Sequence, residues 1–550
     1  MKKTVITFAQ ILLTVLVGTT LVSCGATQQE LAPDVIFYNG EIVTVDEDFR
    51  IAAAVAIRDG RFVAVGSNEE VRRLGGPRTQ EFDLAGRMAL PGFYDNHIHL
   101  RFGRDPNSVY LAQGETLEEL KRVLSQHAER RPPGEWVYGR LPEGVLPSRY
   151  DLDAAVPDHP VALSRAHATA VNSMALQRAR ITRETEDPTG GSFDRNDRGE
   201  LTGILRESPA ARRVTRLLPE WIPDDATAHI AARDSLNALL SMGITSVNVA
   251  GVRPNELRYL QGTYQRWGDE LPRLTTQVRI WAGYDAFDDI EEAIRVSTAE
   301  IEDLSFVTGL GNERLKLGAI KMSIDGAGQS AWNLDRPDVT GAIRIPEEAL
   351  YAVGKRAHDL GWQLGIHAIG DAATEMTVRV LDRILRENPR PDHRHYVHHI
   401  SVLPPESTIR MIADRDIIVA SQPQLFRATP SETFVKRGIR LSYGSDARPY
   451  GPLVGIQAAV TRRARDGQVY APEERVDVKD AIRFYTLGSA YMTFDEANRG
   501  SIEVGKLADL VVLSDDILNM DPERISEIQV LRTVIEGRTV YEAGVAASSQ

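Results

Sequence analysis

The chain of 550 residues has a single cysteine, Cys24. Disulfides within it are thereby excluded, and so is a cysteine-based metal site. It also lacks a long basic run: Lys and Arg number 64 against 77 Asp and Glu, for a net charge of −13. The clustered cations of a nucleic-acid footprint are missing, and an acidic balance of this kind serves solubility. No internal repeat or low-complexity block is present. With 42% hydrophobic and 26% charged residues, the composition is that of a globular protein rather than a multi-span membrane protein. The length exceeds what one small core needs and implies a large catalytic domain with accessory parts.

What is present begins at the N-terminus. Lys2 and Lys3 precede an apolar stretch from Val5 to Val17, followed by Leu21-Val22-Ser23-Cys24. This is the layout of a secretory signal peptide, and its apolar part falls short of the ~20 residues that a span requires. The end of the stretch resembles a bacterial lipobox. That resemblance implies removal of residues 1–23, lipidation of Cys24 and a polar tether over 24–33. The expected location is the bacterial envelope: exported, lipid-anchored at the outer membrane or the periplasmic face, and touching the membrane only through Cys24.

Beyond the tether, Asp34–Gly40 and Glu41–Val45 read as two strands joined by an Asn-Gly turn. Ala53–Ile57 and Arg61–Val65 around Asp59-Gly60 read as a second hairpin of the same kind. Short β-rich runs recur at Asp509–Leu513, Val530–Ile535 and Arg538–Tyr541. Chain termini often lie close together, so these two halves are expected to form one small β-sandwich domain from 34–90 and 500–545. Between them, over 91–499, strands and helices alternate. Strand candidates are Gly92–Ile98, Ile244–Val249, Gln277–Ala282, Leu315–Met322, Gln363–Ile369, His395–Ser401, Ile417–Ser421 and Ile439–Gly444, with helical stretches such as Ala226–Met242, Glu347–Leu360 and Ala372–Arg386. The expected fold class is therefore α/β, a (β/α)8 TIM-like barrel with the β-sandwich appended. Residues 105–225, with Arg131-Pro132-Pro133-Gly134, Pro157 and a polar Gly-rich segment, break the rhythm. They read as an insertion after the first barrel strand, near the active site.

Of the twelve histidines, the informative ones end strands. His97 and His99 lie in Pro91-Gly-Phe-Tyr-Asp-Asn-His-Ile-His99. A strand repeats every two residues, so both imidazoles face one side, and neutral imidazoles suit Zn and similar divalent ions. His367 ends Leu364-Gly-Ile-His367, His399 ends His395-Tyr-Val-His-His399, and Asp446 ends Tyr443-Gly-Ser-Asp446. Each closes an apolar strand, where the catalytic residues of such barrels lie. Lys321 sits on the fourth candidate strand, where an unpaired ammonium is costly.

These motifs together resemble the amidohydrolase superfamily, specifically the YtcJ-like group of amidohydrolase family 3. The matching segments are PGFYDNHIHL at 91–100, IKMSIDGA at 320–327, IHAIGD at 366–371, VHHISVL at 397–403, YGSDARP at 443–449, DVIFYNGEIVTVD at 34–46 and GSIEVGKLADLVVL at 500–513. The resemblance implies metal ligands from strands one, four, five, six and eight, and the candidate strands count to eight on that assignment. It implies that His97, His99 and Asp446 hold one divalent metal and His367 and His399 another. Two Zn ions are expected, with Lys321 carrying a CO2-derived carbamate that bridges them. Where many relatives have Glu before the sixth-strand histidine, this chain has His398. Alternation puts His398 on the opposite face from His399, so His399 is the expected ligand. His167 matches a family segment near the substrate and is expected to bind it.

The implied activity is hydrolysis of an amide-type C–N bond other than a peptide bond in a small molecule. The implied mechanism is a metal-activated hydroxide, with Asp446 as general acid and base. A lactonase, esterase or deaminase on the same site, or a non-catalytic surface binding protein, is the alternative.

Overall fold

The computed structural model describes residues 32–544 except 111–115, 142–143, 166, 285, 327–330, 336–342, 426–427, 447–449 and 465. Cys24, the expected signal peptide and nearly all of the tether lie outside the described residues. Among those residues no helix is long and apolar enough to cross a membrane.

Eight strands form one parallel sheet: β1 (Phe93–Ile98), β2 (Ile244–Val252), β3 (Arg273–Arg279), β4 (Leu315–Ser323), β5 (Leu364–Ala368), β6 (Tyr396–His399), β7 (Ile418–Ser421) and β8 (Leu441–Tyr443). They pair in chain order, and the backbone N–H of Asp446, just past β8, donates to the His97 carbonyl at 2.6 Å. The sheet is thus a nearly closed α/β barrel. Its parallel sense sends every C-terminal strand end to one rim. The connecting helices pack through apolar stripes. In Asp371–Glu387 the stripe is Ala373, Met376, Val380, Leu381 and Ile384, all buried, at the spacing of one helical face. Acidic caps start several of them, as where Asp224 accepts from the Thr227 N–H at 2.8 Å. β3 starts four residues earlier than its apolar content suggested. Its first residue, Arg273, is fully buried because Asp509 lies at 2.7 Å and Glu536 at 3.0 Å.

Sheets from the chain ends flank the barrel. One has six strands in the order 538–542, 530–535, 510–513, 88–91, 41–43 and 51–52, so the two ends meet where Leu510–Leu513 pairs antiparallel with Met88–Pro91. The other has four strands, 61–66, 54–58, 35–38 and 80–83. Phe37, Ile57, Phe62, Ala508, Leu510 and Val534 are buried in one apolar cluster that draws on both sheets. The expected first hairpin is not formed. Val35–Tyr38 pairs with 54–58 and 80–83, whereas Glu41–Val43 pairs with 51–52 and 88–91. Asn39, in the left-handed region at φ +56°, instead passes the chain from one sheet to the other, with its amide held by Asp83. The second hairpin does form, across Asp59 and Gly60, both at positive φ.

The segment between β1 and β2 folds around its own six-stranded sheet, in the order 192–195, 201–206, 168–171, 161–165, 137–140 and 109–110. Val161–Arg165 and Ala168–Val171 form an antiparallel hairpin that turns at His167.

At the opposite end of the barrel from the rim, three histidines are fully engaged. His395 Nδ1 accepts from the Leu364 N–H at 3.0 Å, and its Nε2 lies 2.8 Å from His358 Nδ1. His358 Nε2 then bonds Asn388 O, and His393 bridges the His395 N–H and Arg415 O. These imidazoles have no nitrogen to spare for a ligand.

Two stability predictions follow from this fold. Removing the Asp509 carboxylate leaves the buried Arg273 charge short of its nearest partner, so Asp509→Ala is expected to cost about 3–5 kcal/mol, read from urea unfolding. Burial, then the neighbouring His393, Arg390 and His358, hold the His395 pKa well below its ordinary value, while the unfolded chain protonates near 6.5. Below about pH 6.5 the unfolded state therefore binds a proton that the folded state refuses, and stability falls as pH drops. The unfolding midpoint is expected to fall between pH 7.5 and 5.5, and to fall less in His395→Gln. An unchanged slope in that variant would contradict this assignment.

Candidate metal centre

The rim collects the residues that the sequence singled out. His97 is buried at the end of β1, and His99 stands one turn of the pleat further out, 44% exposed. Asp446 reaches them from β8: its Oδ1 lies 3.6 Å from His97 Nε2 and 3.1 Å from His99 Nε2. One donor atom from each of the three falls within 4.8 Å of the others. Gly444 permits this approach, since a Cβ there would sit 2.4 Å from Asn96 Oδ1 and 2.6 Å from His97 N.

Hydrogen bonds fix the orientation of the rings. His398 Nε2 lies 3.2 Å from Gln277 Oε1, which only accepts, so that nitrogen is the donor. The neutral ring then offers a lone pair at Nδ1, and His97 Nδ1–H donates to it at 2.8 Å. His97 Nε2 is left with its lone pair directed at the Asp446 carboxylate. Two electron-rich atoms facing each other favour a cation between them, and two imidazoles with a carboxylate are a donor set suited to a divalent ion. This is the arrangement in which a second group sets the tautomer of a ligating histidine.

His367 and His399 stand beside this group, their rings 4.4 Å apart, with His399 5.0 Å from the His97 ring. His399 Nδ1 donates to Gln422 Oε1 at 2.6 Å, which puts the Nε2 lone pair on the other side of the ring. His367 Nε2 is buried, has no hydrogen bond among the described residues, and lies 3.6 Å from Asp325 Oδ1. Lys321 is 2% exposed, and its Nζ has no hydrogen-bond partner among the described residues.

Burial, first of all, pushes the pKa of Lys321 well below that of an ordinary lysine. The Arg279 charge adds to the effect and Asp446 opposes it. Burial likewise holds His97, His367 and His398 well below the usual imidazole value, and His399 at about 3. For Asp446 burial acts upward, but the His99 hydrogen bond and the charges of His99, His399 and Lys321 outweigh it and hold the carboxyl at about 2. Burial thus disfavours the charged forms of Lys321, His97, His367, His398 and His399 around the Asp446 carboxylate.

Alternation along β6 does not turn His398 away from the site. His398 is in register with His367, and it is His398 that points into the barrel. His399 reaches the rim because the strand ends there: its backbone is left-handed at φ +80°, as is that of Asp446 at φ +57°. Both residues leave the pleat at the point where the two-residue repeat would have aimed them elsewhere. His167 lies apart from the cluster, on the insertion hairpin, with Nδ1 3.1 Å from Glu207 Oε2.

Several supporting residues carry no motif of their own. Gln277 and Gln422 orient His398 and His399. Asp325 accepts the N–H groups of Ile369, Gly370 and Trp332 and so shapes the turn after His367. Burial raises its pKa to about 7. Asp95 accepts from the N–H groups of His97 and Ser445, pinning β1 to β8. An acidic or amide residue next to a strand-end ligand is the one signal that could have marked Asp95 and Asp325.

Residues 80–541 match the model of the amidohydrolase family. A Bacillus subtilis (strain 168) protein, assigned provisionally as the amidohydrolase YtcJ, is 29% identical over 92% of this chain and 99% of its own length. The N-substituted formamide deformylase of Arthrobacter pascens is 28% identical over 92% of this chain and 98% of its own. Among solved structures, an uncharacterized metal-dependent hydrolase from Pyrococcus furiosus has the same fold, with a TM-score of 0.64 at 23% identity over 88% of this chain and all of that one.

His398 supplies no donor atom to the group of His97, His99 and Asp446, yet it sets the His97 tautomer. His398→Ala is expected to weaken retention of a divalent ion about 10- to 100-fold in a chelator competition. Unchanged affinity would show that the His97 orientation does not depend on it.

Proposed function

The chain belongs to the amidohydrolase family, and from that premise we propose that it is a metal-dependent hydrolase cleaving an amide-type C–N bond other than a peptide bond. The observation that carries the reading is the facing pair of His97 Nε2 and Asp446 Oδ1, joined by His99. On this reading His97, His99 and Asp446 hold one divalent ion, and His367 and His399 a second, zinc being suited to both. The buried Nζ of Lys321, unbonded among the described residues, supports a carbamate at that position. A neutral amine that added CO2 and released one proton would become a carbamate anion, which would remove the cost of a lone buried cation and offer two oxygens as metal ligands.

A divalent ion held by these residues would supply polarisation of a carbonyl and a lowered pKa for a nearby water. The chain's own part is proton handling and orientation. Asp446, ionised and adjacent to both histidines of β1, takes the proton of the attacking water and delivers it to the departing nitrogen. Gln277, His398 and Gln422 keep the imidazoles in the tautomers that leave their inner lone pairs available. The similarity to the N-substituted formamide deformylase supports small N-substituted amides, formamides among them, as the substrate class. The four- and six-stranded flanking sheets, which share an apolar cluster, we read as one β-sandwich from 34–90 and 500–545. Cys24, with the apolar stretch before it, would anchor the enzyme in the bacterial envelope.

Asp446→Asn tests the reading. Turnover of an N-substituted formamide is expected to fall about 10²- to 10⁴-fold, with the unfolding midpoint preserved. Near wild-type turnover in the metal-loaded variant would overturn the role of Asp446.

A further inference from the structure

The end of the barrel opposite the metal centre holds a cavity of about 330 Å³, near the lower end of the ~300–1,000 Å³ range of small-molecule sites. It lies where β4, β5 and β6 begin. Lys316 stands near the start of β4, Gln363 just before β5, and Arg390 and His393 on the segment before β6. Thr493 and Phe494, just past the helix Leu487–Met492, complete the wall. Lys316 and Lys321 share β4, and five residues of strand separate them by about 16 Å. The cavity is therefore distinct from the rim.

Most of its polar groups already have partners. Lys316 Nζ lies 2.7 Å from Asp495 Oδ1 and donates to Thr493 O at 2.7 Å. Gln363 Nε2 donates to Arg394 O and Met492 O. His393 accepts at Nδ1 from the His395 N–H and donates from Nε2 to Arg415 O, so its ring is neutral. Arg390 is the exception. Its Nη2 donates to Trp362 O at 2.6 Å and its Nη1 to His358 O at 3.4 Å, contacts that cap the end of the helix Glu347–Asp359. Its Nε is buried and has no hydrogen-bond partner among the described residues. Burial lowers the Arg390 pKa and the charge of Asp392 opposes this, but Asp392 pairs with Arg394 at 2.7 Å.

The local charges do not cancel. Arg394 also meets Glu496 at 2.8 Å, and Arg499 meets Asp495 at 2.6 Å. Lys316, Arg390, Arg394 and Arg499 thus stand against Asp392, Asp495 and Glu496, which leaves one cation over. A helix cap alone accounts for neither that charge nor the cavity beside it.

Phe494 supplies an apolar wall. Its side chain is 37% exposed and its backbone is left-handed at φ +60°, a region in which a bulky residue is an outlier. Arg394 Cζ, 4.4 Å from the ring centroid, braces it. Strain of this kind persists where the surrounding structure imposes it, and it gathers at ligand sites. Leu317 of β4 adds a second apolar surface. One uncompensated guanidinium beside apolar walls suits a monoanion with an apolar body. A dianion such as phosphate would bring a second charge toward Asp392 and Asp495.

We propose that this cavity is an accessory binding site for a small aromatic monocarboxylate, held by the Arg390 guanidinium and packed on Phe494. The proposal is independent of the hydrolase reading. The test is isothermal titration of the metal-loaded full chain with benzoate, benzamide and inorganic phosphate. Benzoate is expected to bind, and benzamide, of the same shape without the charge, to bind about 10- to 100-fold more weakly. Arg390→Met is expected to weaken benzoate by a similar factor. Phe494→Gly, which suits the left-handed backbone, is expected to weaken it too while the unfolding midpoint is kept. Should Arg390→Met lose its helix cap and unfold, Phe494→Gly and the benzamide comparison decide alone. Benzoate bound equally by the wild type and both variants would be held elsewhere, at the metal centre for example, and would overturn the proposal. No benzoate binding, benzamide bound as tightly, or phosphate bound more tightly than benzoate would also overturn it.

Discussion

Lys321 sets the terms for everything around it. Its nitrogen is buried at the rim end of the barrel and bonded to nothing among the described residues. A charge there is prohibitively costly, and the same burial denies protons to His97, His367, His398 and His399. A group of neutral nitrogens packed around one ionised carboxylate is unfavourable as a resting core, because its lone pairs face one another. It is favourable as a receptacle for external positive charge. The proposed divalent ions and the proposed carbamate are two answers to one electrostatic deficit.

The barrel makes this gathering possible because its parallel strands deliver their last residues to one rim. Delivery alone does not aim the side chains. His399 and Asp446 both leave their strands through left-handed backbone, and Gly444 admits the β8 end close to β1. The polar layer beneath, Gln277 with His398 and Gln422 with His399, then locks each ring. Geometry at the site is therefore set by residues on β3 and just past β7 and β8 as much as by the donor residues themselves.

This division explains what the sequence could reveal. The strand-end histidines, Lys321 and Asp446 were legible because apolar runs with a polar terminus announce barrel strands. The helices over 225–240, 347–359 and 371–387 were legible from their periodicity. The start of β3 was not, because Arg273 reads as a surface residue until Asp509, more than two hundred positions later, is known to pair with it. Nor was the inward orientation of His398 beside a rim-facing His399: the two-residue repeat fails at His399, where backbone φ changes sign. Asn39-Gly40 carried a hairpin signal, yet each flanking strand found better partners in a different sheet. Long-range pairing decided each of these, and no local pattern encodes it.

Hydrolysis is proposed to depend on a divalent ion held at His97, His99 and Asp446. This dependence is tested most directly by stripping the full-length protein with a chelator and titrating Zn²⁺ back, following bound metal and turnover of N-butylformamide together. Turnover is expected to disappear on stripping and to return in proportion to the metal bound, and a His97→Ala protein is expected to bind less metal and to recover no turnover. Turnover that persists in the stripped protein, or full metal binding by the His97→Ala protein, would contradict this dependence.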